Sequence, residues 1–130
     1  MKEPIWLTRT IIEVVHVSQI KEHGGQYGLR DEKLLESALM RPVNRWLYEK
    51  KSNIIALAAA YGFAFAKYHC FVDGNKRLAF MAMYIFLGLN GYEITASEPE
   101  VVDLMTGMAD STYSEAELVT WLNKHAALQR

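Results

Sequence analysis

The sequence predicts an all-α fold, a compact bundle of about six helices forming one domain over residues 1–130, and three observations carry that prediction. The run "IIALAAAYGFAFAKY", residues 54–68, is hydrophobic on every side, the mark of a central helix enclosed by others. A second apolar run, "LAFMAMYIFLGL", follows at 78–89 after a polar junction of nine residues. Two Ser-x-x-Glu capping boxes, Ser97 with Glu100 and Ser114 with Glu117, announce helix starts in the last third of the chain. No segment makes a convincing sheet.

The elements follow in order. A first helix is expected from about Thr8 to His23, with Ile11, Ile12, Val14, Val15 and Ile20 as its apolar face and Gly24-Gly25 as its stop. Its many β-branched residues make a strand the competing reading, and the even mixing of polar residues favours the helix. "QYGLR", residues 26–30, is a turn, and Asp31 can cap a helix carrying Leu34, Leu35, Ala38 and Leu39. That helix is predicted to stop near Met40-Arg41, because the residue before Pro42 is pushed out of the α region. "VNRWLYEKK", residues 43–51, reads equally as a further helical turn or a loop. Asn53 opens the apolar helix 54–68. Another runs from about Asn75 to Asn90, with Gly91 as terminator and "YEITA" (92–96) as a candidate short extended piece. The capping boxes then open helices near 98–109 and 115–128.

Composition narrows the function. The formal net charge is −1, from 14 basic and 15 acidic residues, which argues against a nucleic-acid binder working through a broad basic face. Cys70 is the single cysteine, so no intrachain disulfide forms and a reducing compartment is the default. "MKEPIWLTRT" lacks the apolar core of a signal peptide. The longest apolar run, Ile54 to Ala66, is too short to span a bilayer. A soluble, cytoplasmic protein is the expectation.

The junction "HCFVDGNKR", residues 69–77, is where chemistry concentrates. Gly74 and Asn75 precede an apolar helix, so the backbone N–H groups of about Asn75, Lys76 and Arg77 point outward unpaired, a ready site for anions and phosphate above all. Lys76 and Arg77 add two positive charges, and Arg77 can grip phosphate oxygens bidentately. His69 can take a proton from an attacking hydroxyl near neutral pH. Asp73, four residues on, suits Mg²⁺, which is commonly held by one or two carboxylates plus phosphate oxygens. Phe71 and Val72 are expected to plug into the core. Each residue alone has a structural explanation, Asp73 as a cap and Lys76-Arg77 as a solvated pair; together they describe phosphoryl or nucleotidyl transfer.

The same stretch resembles the signature of the Fic/Doc family. Fic proteins carry His-x-Phe-x-[Asp/Glu]-Gly-Asn-Gly-Arg-x-x-Arg, and the Doc (death-on-curing) toxin branch carries His-x-Phe-x-Asp-[Ala/Gly]-Asn-Lys-Arg, which "HCFVDGNKR" matches at every fixed position. "HGGQYGLRDEKLLESALMRP" (23–42), "ALAAAYGFAFAKYH" (56–69) and "FLGLNGYEI" (86–94) extend the likeness over essentially the whole chain. The resemblance implies His69 as general base, Asp73 as ligand to Mg²⁺ bridging the phosphates of ATP, and Gly74, Asn75, Lys76 and Arg77 as phosphate holders. Two departures choose the reaction. Where AMP-transferring Fic enzymes have a second glycine and a second arginine, this chain has Lys76 and Phe80. The Doc branch shares the lysine, and with it the resemblance implies ATP bound in the reversed sense, its γ-phosphate presented to the base. The implied protein is a kinase toxin of a type II toxin–antitoxin module acting on a threonine of elongation factor Tu. Restraint would come from a Phd-like antitoxin. AMP transfer, or an idle binding module of the same fold, are the alternatives.

Remaining features read as structure. His16 and His23 share a helix face but are too few for a metal site, and Cys70 beside His69 in an extended loop points away from it. "STYSEA" (111–116) approaches the inhibitory motif of some Fic chains, but Ala116 breaks it, and Ser114 is assigned to the helix cap instead. Met81, Met83, Met105 and Met108 are expected to fill the core, and Trp6, Trp46 and Trp121 to anchor packing.

Overall fold

Helix α3 (Ile54–Tyr68) is the centre of the molecule: ten of its fifteen residues are buried and the other five are half-buried. A computed structural model describes residues 2–109 and 112–129. Around α3 pack α2 (Glu32–Tyr48), α4 (Asn75–Leu89), α5 (Glu98–Ala109) and α6 (Glu115–His125), while α1 (Arg9–His23) lies against α4. The described residues thus hold the six helices expected of an all-α bundle, and among them no helix is long and apolar enough to cross a membrane.

Local chemistry sets most of the helix starts. Thr8, Asp31 and Asn53 each accept the backbone N–H three residues on, from Ile11, Leu34 and Ala56, a cap typically contributing ~1 kcal/mol. Both capping boxes close reciprocally: Ser97 with Glu100 and Ser114 with Glu117 exchange side-chain and backbone bonds. Gly24, at φ +87°, ends α1 as expected.

The α3–α4 pair forms the core through Tyr61, Phe65, Met83 and Phe86, all fully buried. Burying each such side chain contributes roughly 1.5–3 kcal/mol. Gly62 makes the close approach possible, since a Cβ there would meet the Met83 sulfur at 2.3 Å. Tyr61 spends its one polar atom on the Leu7 N–H, which its hydroxyl accepts at 3.0 Å; burial pushes the phenol up to about 12. Trp6 stacks on Phe86 at 5.9 Å and meets Trp46 edge-on at 6.1 Å, and Trp121 stacks on His125, so all three tryptophans anchor packing.

Two elements differ from expectation. Helix α2 does not stop before Pro42 but runs through it to Tyr48. An interior proline forfeits a backbone hydrogen bond and costs ~3 kcal/mol. Tertiary contacts at and around it offset that: Pro42 is itself buried, Trp46 packs on Trp6, and Arg41 and Arg45 both pair with Glu115 of α6. The second difference is a two-stranded antiparallel sheet. β1 (Tyr92–Ile94) pairs with β2 (Ala126–Leu128) in the register Tyr92–Leu128, Glu93–Ala127 and Ile94–Ala126, so α6 ends at His125 instead of continuing to 128. The Thr95 N–H donates to the His125 carbonyl at 2.7 Å and seals the helix end. Ser111, the first residue of "STYSEA", lies outside the described residues.

Candidate active site

The polar junction spans the end of α3 and the start of α4. α3 finishes at Tyr68, and His69 takes the left-handed conformation (φ 49°, ψ 54°), turning the chain sharply with the histidine exposed. The next residues are fastened to the connection between α1 and α2. Arg30 Nε donates to the His69 carbonyl at 2.6 Å and Nη2 to that of Tyr68 at 3.1 Å. The N–H groups of Arg30 and Asp31 both donate to the Cys70 carbonyl, and Val72 N–H donates to Gly28. Cys70 is fully buried; burial first, then the charge of Asp31, pushes its thiol up to about 11. It is inert packing, as expected.

Phe71 is buried as expected, its ring stacked on His16 at 3.9 Å. Val72 is not: it is 45% exposed. Phe71 bridges to Leu29, and the chain bends at the next residue, which leaves the Val72 side chain outward. Beneath the loop, buried His16 donates from Nε2 to the Asp73 carbonyl at 2.7 Å; a carbonyl only accepts, which fixes the proton on that nitrogen.

Asp73 is exposed. Its Oδ2 accepts the Gln26 N–H at 2.8 Å, and among the described residues Oδ1 has no donor. Gly74 follows at φ +78°, where a Cβ would come within 3.0 Å of Ile20 and the left-handed backbone would strain any other residue. No side chain caps α4, so the N–H groups of its first turn are left for another acceptor. Asn75 lies at this helix start, and its side chain is committed inward. Oδ1 accepts the Phe71 N–H at 3.1 Å and Nδ2 donates to the Phe71 carbonyl at 2.9 Å. Lys76 and Arg77 are exposed, and among the described residues no carboxylate pairs with either.

Asp73, Gly74, Asn75, Lys76 and Arg77 together line one cavity of about 400 Å³, whose opposite wall is Val102, Met105 and Thr106 of α5. A second cavity of about 430 Å³ shares Arg77, Val102 and Met105 with it and continues along Phe80 and Met81, rimmed by Gln19, Glu22, His23 and Glu98. His69 does not line either. Met83 and Met108 fill the core as expected, whereas Met81 and Met105 face these cavities. The sequence offered no sign of the α5 wall, nor of the supports given by Arg30, His16 and Gln26; "GLRD" (28–31) was visible only as a turn and a cap. His16 and His23 form no metal site, and among the described residues no cluster of three or more His, Cys, Asp or Glu does so.

A carboxylate with one free oxygen beside a cationic helix start fits a Mg²⁺ held largely by phosphate and water, and does not fit an all-protein metal cage. The model of the Fic/DOC family matches residues 6–87. The chain is 32% identical over 110 residues to "Protein kinase doc" of Escherichia phage P1, covering 85% of this chain and 86% of that protein. It is 36% identical over 74 residues to "Toxin Doc" of Mycolicibacterium smegmatis, covering 56% of this chain and 57% of that one.

Proposed function

The chain belongs to the Fic/DOC family, and on that footing we propose that it is a Doc-type toxin that transfers the γ-phosphate of ATP to a Ser or Thr hydroxyl of a protein. The observation that carries the reading is the cavity at the α4 start, where an uncapped helix N-terminus, Lys76, Arg77 and a half-free Asp73 carboxylate face the same space. Phosphoryl transfer asks a protein mainly for positioning and charge neutralisation, and this arrangement supplies both.

His69 accepts the proton of the target hydroxyl as its oxygen bonds to the γ-phosphorus. The bond from that phosphorus to the β–γ bridging oxygen breaks, and ADP leaves. Backbone N–H groups of the first turn of α4, with Lys76 and Arg77, hold the phosphates, while the Asn75 side chain shapes the loop that presents them. Asp73 would hold Mg²⁺, which when bound neutralises phosphate charge. Lys76 stands where an AMP transferase carries a glycine, and Phe80, which lines the neighbouring cavity, offers no charge where a second arginine would clamp an outer phosphate. Elongation factor Tu is the target we infer, a Phd-like antitoxin the restraint, and the cytoplasm the setting.

The test uses a bacterial lysate and ATP labelled at either the γ- or the α-phosphate. Transfer of γ label alone, lost in His69→Ala with the fold retained, is the expected result. Transfer of α label would replace the reading with AMP transfer, and no label from folded, antitoxin-free protein would leave a binding module.

A further inference from the structure

We propose that Arg30 is a positioning residue for His69, an inference that rests on reading His69 as the base. Among the described residues His69 is the only non-glycine with positive φ. A side chain with a Cβ adopts that conformation at a cost, and it persists only where the surroundings over-determine it. Here three consecutive carbonyls, of Tyr68, His69 and Cys70, receive their donors from Arg30 and Asp31. The guanidinium holds the first two from its rigid fork, at 3.1 and 2.6 Å, and the backbone N–H groups of Arg30 and Asp31 take the third.

The chemistry of arginine suits this task. Its fork presents parallel donors at fixed spacing, whereas lysine offers a point charge. Its charge also lies against the last carbonyls of α3, the negative end of that helix. Among the described residues no carboxylate pairs with the Arg30 guanidinium, so its donors serve these carbonyls. Glycine would take the left-handed turn freely; a histidine there needs the turn enforced, and Arg30 enforces it. Arg30 touches neither Asp73 nor the cavity at the α4 start. Its loss should therefore disturb the base and spare the phosphate end.

The full chain is compared with Arg30→Ala, Arg30→Gln and Arg30→Lys. The one-bond Cα–Hα coupling of His69, read by NMR, reports the sign of φ without requiring activity. γ-Phosphate transfer is followed at varied ATP. In the wild type the coupling should report positive φ, and in Arg30→Ala it should average toward the negative-φ value. kcat should fall on the order of ten-fold or more while KM for ATP stays within about two-fold. Arg30→Lys should recover part of kcat. A His69 coupling unchanged in Arg30→Ala, or a kcat within about two-fold of wild type, overturns the proposal. Should Arg30→Ala not fold, the same two readouts in Arg30→Gln decide. If the wild type transfers no phosphate, the proposed function fails, and the coupling alone still decides whether Arg30 holds the turn.

Discussion

Replacing Asn75 separates the shape of the 69–77 loop from its charge. The Asn75 amide makes two bonds to the backbone of Phe71, at 3.1 and 2.9 Å in a partly buried setting. A net hydrogen bond contributes about 0.5–1.5 kcal/mol, so Asn75→Ala should lose about 2 kcal/mol. For 130 residues at ~2.1 cal/mol/K each, 1 kcal/mol corresponds to roughly 4 °C, and the variant should melt about 7 °C lower. Asn75→Asp keeps the acceptor, loses the donor, and gains a carboxylate in the first turn of α4, where the helix dipole returns ~0.3–1 kcal/mol. It should therefore melt above the alanine variant. Even turned inward on Phe71, that carboxylate adds a full negative charge to the cavity's lining; if phosphate binds there as proposed, a separation of ~6 Å at an intermediate dielectric gives a repulsion of about 1–3 kcal/mol, roughly ten-fold in affinity. The order thus inverts between assays: by thermal melting the aspartate variant is the better protein, by ATP calorimetry the worse. An alanine variant melting within about 1 °C of wild type would refute the reasoning, as would an aspartate variant that binds ATP as tightly as the alanine one.

Three further outcomes are expected. Phe71→Ala should cost ~3–5 kcal/mol because the ring is buried on His16, whereas Val72→Ala at its exposed neighbour should stay within about 0.5 kcal/mol; equal melting shifts would contradict the inward and outward assignment. The Cys70 thiol, raised to about 11 mainly by burial, should resist alkylation at pH 8 until urea unfolds the chain, and rapid labelling of native protein would count against that. Glu100 is lowered from 4.5 to about 2, first by the Ser97 backbone bond and then by His125. A depressed carboxylate contributes stability that is present above its unfolded value and lost as pH falls through its folded one. Glu100→Gln should accordingly show a shallower acid loss of stability between about pH 4.5 and 2; identical acid titrations would show that the pairing does not matter.

What was legible in the sequence is what local chemistry decides. Asp31, Asn53, Ser97 and Ser114 meet their partners three residues away, so four helix starts could be read from short windows. The all-round apolarity of 54–68 likewise fixed the central helix. Pro42 misleads because its local cost is real but is outweighed by Trp6 and Glu115, residues far away in the chain. The strand 92–94 needed a partner from 126–128 before it could count as a sheet. In the loop, residue types suggested charge and proton handling. They did not reveal that Asn75 turns inward, that Val72 turns outward, or that α5 walls the cavity, since each depends on a neighbour brought in by the fold.

The fastening of the loop to residues 26–31 has a dynamic consequence. Gln26 N–H on Asp73, Val72 N–H on Gly28, and Arg30 and Asp31 N–H on Cys70 join stretches some 39 to 47 residues apart in sequence. Three of these bonds join backbone to backbone and the fourth reaches the Asp73 side chain, so all four draw the same two stretches together along one short seam. The junction should therefore open as one cooperative unit, and these four amides should exchange their hydrogens with similar free energies. Until residues 24–31 have docked, a chain with every signature residue in place has only the ingredients of the site, so catalytic competence comes with completed tertiary structure and not before it.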